Sequence, residues 1–308
     1  MRFNPKARLN TSRTTDAGRS SGGGRAASGI PIPGGLAGGG IGGLIITAIV
    51  VVAFMYLGGG GGSALPAYDA GRMSDTDRYA ACESGEDANE SADCARVAVE
   101  NSLYDYWGET LPAQAGTSFS PERAMRTFTG AVSTGCGQAS SASGPFYCPA
   151  DETIYLDTSF FADVLQGQLN GPSGAFVEPY VLAHEYGHHI QHLLGTDARV
   201  RSREGETSDS VRLELQADCY AGMWAGAATG TEDAQGAILI AELTRQDVEQ
   251  AIAAAQAVGD DRIQAASGTG VDPDAWTHGS AQQRVAWFTR GYQQGTLDAC
   301  DTFAAGAL

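Results

Sequence analysis

The sequence predicts an α+β fold that is mostly helical with a small sheet, preceded by one N-terminal transmembrane helix. After residue 75, apolar residues recur at the spacing of a helix in several segments. One short segment alternates between apolar and polar residues as a strand does, and one uncharged apolar run lies near the N-terminus. Helices are predicted over residues 76–106, 158–169, 176–194, 207–228, 232–258 and 279–294, and a strand over residues 152–157. A chain of 308 residues is long enough for one large domain or two ordinary ones.

The N-terminal part of the chain differs in composition from the rest. Every run of adjacent glycines falls within the first 62 residues, and six of the 19 basic residues but one of the 36 acidic residues precede residue 58. We therefore expect residues 1–37 to form a disordered, Gly/Arg-rich cytoplasmic tail. Residues 58–308 carry a net charge of −22, which repels phosphate backbones, so nucleic acid is not an expected partner.

Residues 38–57 are the predicted membrane span. They belong to a stretch of 24 residues without a charge, residues 34–57, and a bilayer span needs about 20 mainly apolar residues. All flanking basic residues precede it, which predicts a single-pass protein in the cell membrane, with a cytoplasmic N-terminus and an extracytoplasmic domain. Residues 58–70 are then a flexible linker and residues 71–308 the domain. The alternatives are a cleaved signal peptide, for which Ser63-Ala64-Leu65 offers a weak site, and a buried helix.

All six cysteines follow the predicted span, and their even number suggests disulfides formed in an oxidising compartment. Six cysteines allow fifteen pairings, which the sequence cannot separate. Short loops favour Cys82–Cys94 and Cys136–Cys148, which leaves Cys219 to pair with Cys300. The alternative is six buried free thiols. The sequence lacks Cys-x-x-Cys spacing, so a structural zinc site is not expected.

A motif with metal-binding spacing lies in the predicted helix 176–194. Residues 180–192 read Tyr-Val-Leu-Ala-His-Glu-Tyr-Gly-His-His-Ile-Gln-His. His184 and His188 are one turn apart and separated by about 40° around the helix, so both rings can reach one metal ion. Glu185 can take a proton from a water molecule that the metal activates. His189 and His192 are poorer ligands, because His189 points about 100° away from His188 and His192 lies about 12 Å of helix rise beyond His184.

The third ligand is expected from the next helix. Glu214 and Asp218 are one turn apart in residues 210–224, where most of the neighbouring side chains are apolar. A buried pair of acids needs a partner, and a zinc ion with its histidines supplies one. We expect Glu214 to bind Zn2+, one ion per chain, and Asp218 to accept a hydrogen bond from a ligand histidine. The alternative is that both acids belong to a solvated helix face.

The chain resembles the neutral zinc metallopeptidase family of bacteria and, more broadly, the gluzincins such as thermolysin. The resemblance extends over about residues 70–308, through blocks at residues 144–151, 154–161, 183–191, 212–222, 259–264, 277–284 and 300–303. It implies a small gluzincin-like zinc-peptidase domain. In gluzincin-like folds an edge strand binds the substrate backbone, and the predicted strand with Ile154, Tyr155 and Leu156 is the candidate; a plain core strand is the alternative.

His278 is the second candidate catalytic residue. Similarity to thermolysin-like enzymes implies that it stabilises the oxyanion of the tetrahedral intermediate. The alternative is a histidine that caps or packs the last helix. The expected function is hydrolysis of peptide bonds in a peptide or protein substrate, with a lipid bilayer as second partner through residues 38–57. A scaffold protein with a structural zinc ion and a zinc amidase acting on cell-wall peptides are the alternatives.

Overall fold

Helices and a small sheet enclose the main hydrophobic core in the computed structural model of this protein, which describes residues 1–19, 75–140, 143–268 and 270–308. Two of its long helices, α3 (Val177–Leu194) and α4 (Asp209–Ala227), pack against each other through this core. The α-helices are α1 (Gly85–Glu90), α2 (Ala92–Ala115), α3 (Val177–Leu194), α4 (Asp209–Ala227), α5 (Arg245–Ala257), α6 (Asp260–Ser267) and α7 (Ala281–Gln294). A π-helical segment covers Phe161–Gln166, and 3-10 turns cover Asp197–Arg199, Pro273–Ala275 and Asp298–Cys300.

Three separate sheets are present in the described residues. The strands are β1 (Arg2–Phe3), β2 (Thr14–Arg19), β3 (Ala124–Thr129), β4 (Ala131–Thr134), β5 (Gly137–Ser140), β6 (Phe146–Cys148), β7 (Thr153–Asp157) and β8 (Ile240–Glu242). The largest sheet has the order β2-β3-β7-β6, with β6 antiparallel and the other three strands parallel. β4 pairs with β5, and β1 pairs with β8. Ile154 and Leu156 face the main core, whereas Tyr155 belongs to a second apolar cluster on the other face of the sheet.

The α+β class is confirmed, and most predicted elements are found with changed boundaries. The region predicted as helix over 76–106 becomes two helices, because Ser91 adopts an extended conformation between α1 and α2. The helix predicted over 232–258 begins only at Arg245, where Thr244 forms a capping box with Asp247. The segment before it contains β8, which β1 holds as a strand. In the part of the chain described here no helix is long and apolar enough to cross a membrane. The predicted span 38–57 and linker 58–70 lie outside the described residues.

The strand predicted over 152–157 is present as β7, but the substrate role predicted for Ile154, Tyr155 and Leu156 is wrong. β7 lies between β3 and β6, and both of its backbone edges are used in pairing with these neighbours. A substrate chain therefore cannot add to it. Among the described residues, β6 is the last strand on this side of the sheet.

The disulfide pairing favoured by loop length is confirmed. Cys82 pairs with Cys94, Cys136 with Cys148, and Cys219 with Cys300. The first joins the loop before α1 to α2, and the second joins the β4–β5 turn to β6. The third attaches the C-terminal segment to α4, which is the helix that carries Glu214.

The first 19 residues are part of the folded domain, so the prediction of a disordered tail is wrong for them. β2 forms one edge of the main sheet, and Phe3, Ala7 and Ala17 are buried. Arg13 Nε donates to Glu100 Oε1 at 2.6 Å, where the Glu100 side chain is 2% exposed. Apolar burial and a buried ion pair thus hold this segment where composition alone suggested disorder.

These contacts also restrict membrane topology. A single crossing by residues 38–57 would place residues 1–19 and 75–308 on opposite sides of a membrane. Residues of one sheet cannot be separated in this way, because β2 pairs directly with β3 and β1 with β8. The fold therefore requires both segments on one side, and it is incompatible with the predicted combination of a cytoplasmic N-terminus and an extracytoplasmic domain.

Replacing Arg13 by Met should lower the free energy of unfolding by on the order of 3 kcal/mol, because Glu100 would lose its buried partner. Urea denaturation of the full chain measures this change. Arg245→Met is the matched control, since Arg245 pairs with Glu249 in an exposed i,i+4 bridge and its loss should change stability by less than about 0.5 kcal/mol. Equal effects of the two substitutions would contradict a structural role for residues 1–19.

Deleting residues 1–19 should prevent stable folding. The apolar surface that Phe3 and Ala7 cover would become exposed, and the buried Glu100 would lose its ion-pair partner Arg13. A synthetic peptide of residues 1–19 added in trans should restore part of the lost protease resistance. A scrambled peptide of the same composition is the control. A deletion variant that unfolds at the same urea concentration as the full chain would refute this prediction.

Candidate metal centre

Helix α3 places His184, Glu185 and His188 on neighbouring parts of one helical surface. The helix is continuous from Val177 to Leu194 and ends at Gly195, whose φ of 69° is a left-handed cap that favours glycine. Along such a helix, His188 is rotated by about 40° and Glu185 by about 100° from His184. His184 and Glu185 are 6% and 7% exposed, and the three side chains therefore share one largely buried sector.

Helix α4 approaches α3 closely at Gly187, between the two histidines of the motif. A Cβ atom at Gly187 would lie 3.1 Å from the Cα and the carbonyl oxygen of Ala217, which is tighter than ordinary contact. Glycine at this position lets the backbones come together. As a result, the first turns of α4 place Glu214 opposite the imidazole rings of α3.

The three predicted ligands converge on one point. His184 Nε2 lies 3.1 Å from Glu214 Oε2, and His188 Nε2 lies 3.5 Å from Glu214 Oε1. One ligand atom from each residue can be chosen so that all three lie within 4.8 Å of one another. Among the described residues this is the one group of three or more such side chains that could hold a metal ion.

The spacing and chemistry of these atoms fit zinc. Ligands about 2.1 Å from a tetrahedral metal are separated by about 3.4 Å, close to the two nitrogen–oxygen distances at Glu214. Two imidazoles and one carboxylate are a donor set that zinc accepts, with a fourth position left for water or substrate. His184, His188 and Glu214 can therefore hold the metal ion that the sequence predicts.

Asp218 is the outer partner of His184, as predicted, and it is fully buried. Its Oδ1 accepts hydrogen bonds from His184 Nδ1 at 2.9 Å and from the Tyr180 hydroxyl at 2.6 Å. Arg284, on α7, donates from Nε to Oδ2 at 2.8 Å and from Nη2 to Oδ1 at 3.0 Å. The carboxylate thus fixes hydrogen on Nδ1 of His184 and leaves Nε2 free for the metal.

Arg284 was not predicted as a site residue. It is 4% exposed, and Gly291, in the same helix, lets α7 approach α4 closely, since a Cβ there would lie 1.9 Å from the Cys219 carbonyl oxygen. A basic residue inside the block 277–284 was the only signal in the sequence. Its partner on another helix could not be identified without the fold.

Electrostatics keep these groups charged in spite of burial. Burial opposes ionisation of Asp218, but Arg284 and His184 lower its pKa to about 2. Burial likewise opposes charge on His184, yet Asp218 and Glu214 raise its pKa to about 10. For Glu214 the desolvation is outweighed by His188, His278 and His184, so its pKa falls well below the usual range. The two carboxylates and their histidine and arginine neighbours thus stabilise one another's charges.

His278 is held beside this site by Asp260. Oδ2 of Asp260 accepts the backbone N–H groups of Thr277, His278 and Gly279 at 2.8, 2.7 and 3.0 Å. Its Oδ1 lies 3.3 Å from His278 Nδ1. Gly279, with a φ of 89°, allows the turn that follows. Burial opposes charge on His278, but Glu214 and Asp260 raise its pKa and so favour its cationic form.

Asp260 is a second residue that sequence reasoning missed. It begins α6, near the start of the block 259–264, whereas His278 precedes α7. Asp260 and His278 are 18 positions apart in the sequence, so the sequence alone does not reveal that they pair.

The other two histidines of α3 have structural partners. His189 is fully buried and contacts the Tyr147 hydroxyl and the Ser120 carbonyl oxygen. His192 Nδ1 lies 2.7 Å from Asp197 Oδ2. Neither belongs to the metal-binding group, in agreement with their positions on the helix.

Comparison with known proteins agrees with this geometry. An uncharacterized protein of Mycobacterium tuberculosis is 48% identical over 229 residues, which cover 74% of this chain and 76% of the relative. The uncharacterized protein YpfJ of Escherichia coli is 43% identical over 205 residues, covering 65% of this chain and 67% of the relative. No solved structure matches the chain. Residues 4–303 match the family described as "Putative neutral zinc metallopeptidase". The chain belongs to this family.

Proposed function

We propose that this protein is a zinc-dependent peptidase that uses Glu185 as its general base. The convergence of His184, His188 and Glu214 on one point, with Glu185 next to the first ligand, carries the proposal. A zinc ion bound there would supply Lewis-acid chemistry, lowering the pKa of water towards about 7 and polarising a carbonyl group. The family description supports hydrolysis of peptide bonds.

In the proposed reaction each residue has a separate task. The Glu185 carboxylate accepts a proton from the attacking water and passes it to the leaving amine. His278, whose cationic form Glu214 and Asp260 favour, donates a hydrogen bond to the charge that develops on the substrate carbonyl oxygen. Asp218 and Arg284 hold His184 in place and do not touch substrate.

We place residues 1–19 and 75–308 together outside the cytoplasm. Three disulfides with no free cysteine among the described residues support an oxidising compartment. Attachment to a lipid bilayer through residues 38–57 stays a prediction. The cytoplasmic position first expected for the N-terminus is not retained, because β1 and β2 pair with the domain.

A scaffold role and an amidase role are the competing functions. A structural zinc site has no use for a base at Glu185, which favours an enzyme over a scaffold. A cell-wall amidase would use the same metal site and base, so only the substrate distinguishes it. Purified protein should be offered both a library of linear peptides and cross-linked cell-wall peptides, with and without chelator. Chelator-sensitive cleavage of cell-wall peptides alone would favour the amidase.

Metal analysis tests the ligand set. The purified protein should contain about one zinc ion per chain, and substitution of His184, His188 or Glu214 by Ala should each remove it. His192→Ala is the matched control, since this histidine lies on the same helix and pairs with Asp197. Full zinc content after Glu214→Ala, or loss after His192→Ala, would overturn the assignment.

Replacing Glu185 by Gln tests the general base. The amide keeps the size of the side chain but cannot accept the proton, so peptide hydrolysis should fall by at least about 10²-fold. Zinc content and thermal stability should not change. If the wild-type protein cleaves peptides and the Glu185→Gln variant cleaves them at the same rate, the mechanism is wrong.

Substitution of His278 tests stabilisation of the developing charge. His278→Ala should lower kcat by about 10²- to 10³-fold with a small change in KM, because the interaction forms in the transition state. Asp260→Asn should give a smaller decrease of the same kind. A His278→Ala variant that retains its kcat, or that loses zinc, would assign this residue a structural or ligand role instead.

A further inference from the structure

A series of hydrogen-bonded amides connects the Cys219–Cys300 disulfide to one of the metal ligands. Gln216 Nε2 donates to the Cys300 carbonyl oxygen at 3.1 Å. Gln191 Nε2 donates to Gln216 Oε1 at 3.1 Å and to the Leu213 carbonyl oxygen at 2.7 Å. The last contact joins Gln191 Oε1 to His188 Nδ1 at 2.8 Å. Gln191 is fully buried and Gln216 is 4% exposed, so water does not replace these partners.

Only one orientation of the two glutamine amides gives every donor in the series an acceptor. Backbone carbonyl oxygens can only accept, so the carbonyls of Cys300 and Leu213 require the NH₂ ends of Gln216 and Gln191. Turning the Gln191 amide around would place its oxygen against the Leu213 carbonyl oxygen. Oε1 of Gln191 must therefore face His188, and it can be satisfied only by an N–H group at Nδ1.

Hydrogen on Nδ1 directs the lone pair of His188 Nε2 towards the metal site. Nε2 lies 3.5 Å from Glu214 Oε1. A carboxylate at this distance attracts the ring hydrogen to Nε2, where it would block a metal ion. The amide series opposes this attraction from the other side of the ring.

We propose that Gln191 is a positioning residue that fixes the tautomer of His188 for metal binding, and that Gln216 holds Gln191 in the required orientation. This inference rests on the metal site of the proposed function. The two histidines then have different outer partners, since His184 donates to the anionic Asp218 and His188 to a neutral amide. A neutral partner fixes the ring without adding a second negative charge beneath the metal.

The tautomer can be measured in the metal-free wild-type protein. Long-range ¹⁵N–¹H spectra of histidine-labelled protein in alkaline buffer report which ring nitrogen of His188 carries hydrogen. Hydrogen on Nδ1 is the expected result. Hydrogen on Nε2 alone would overturn the proposal, and this measurement needs neither a variant nor an active enzyme.

Two substitutions at Gln191 separate positioning from packing. Gln191→Leu removes the acceptor, so the hydrogen of His188 should move towards Nε2 and zinc affinity, measured by chelator competition, should fall about 10- to 100-fold. Gln191→Glu keeps an oxygen acceptor and should keep hydrogen on Nδ1, although it loses the donor to Leu213 and lowers stability. A Leu variant with unchanged tautomer and zinc affinity within twofold of the wild type would refute the role.

Gln264→Leu is the matched control. Gln264 is also a buried glutamine; its amide bonds Asp272 and Trp276, away from the metal ligands. Its loss should lower stability without changing zinc affinity or the His188 spectrum. Equal losses of zinc affinity in both Leu variants would show a general effect of destabilisation and overturn the proposal. If the wild-type protein has hydrogen on Nδ1 of His188 but cleaves no peptide, the result counts against the proposed peptidase function and not against the role of Gln191.

Discussion

The buried carboxylate of Asp218 joins the three helices that build the site. A buried charge needs a partner of opposite charge within the protein. For Asp218 this partner is Arg284 on α7, whose Nε lies 2.8 Å from Asp218 Oδ2. Tyr180 and His184 donate to the same group from α3. Because the arginine and the carboxylate neutralise each other, Asp218 can orient His184 without weakening the positive charge of a metal ion. The close approaches at Gly187 and Gly291 allow this arrangement.

The metal ligands are thus supported from two directions. Asp218 of α4, which pairs with Arg284 of α7, fixes His184. The amides of Gln191 and Gln216 connect His188 to the C-terminal segment. The Cys219–Cys300 disulfide attaches that segment covalently to α4, the helix that carries Glu214. Each ligand therefore depends on parts of the chain far away in sequence. A peptidase needs such support, since a small displacement of a ligand or base reduces catalysis strongly.

The N-terminal segment extends this dependence to the start of the chain. Residues 1–19 complete one edge of the main sheet and place Arg13 against the buried Glu100. Glu122 is buried nearby, where desolvation and the charge of Glu100 raise its pKa well above the usual range. A buried carboxylate is stable in its charged form only beside an oppositely charged group, so Arg13 belongs to the folded core and not to a disordered tail. The match of the family from residue 4 onwards agrees with this view.

The sequence by itself determined the chemistry of the site and much of the fold. The spacing of His184 and His188 follows from helical geometry, which is local, and loop length alone favoured the correct disulfides. Only the tertiary structure decided the position of β7 inside the sheet and the place of residues 1–19. It also decided the partners of Asp218, His188 and His278. Strand order and buried polar pairs depend on contacts between distant segments, and neither periodicity nor composition records such contacts.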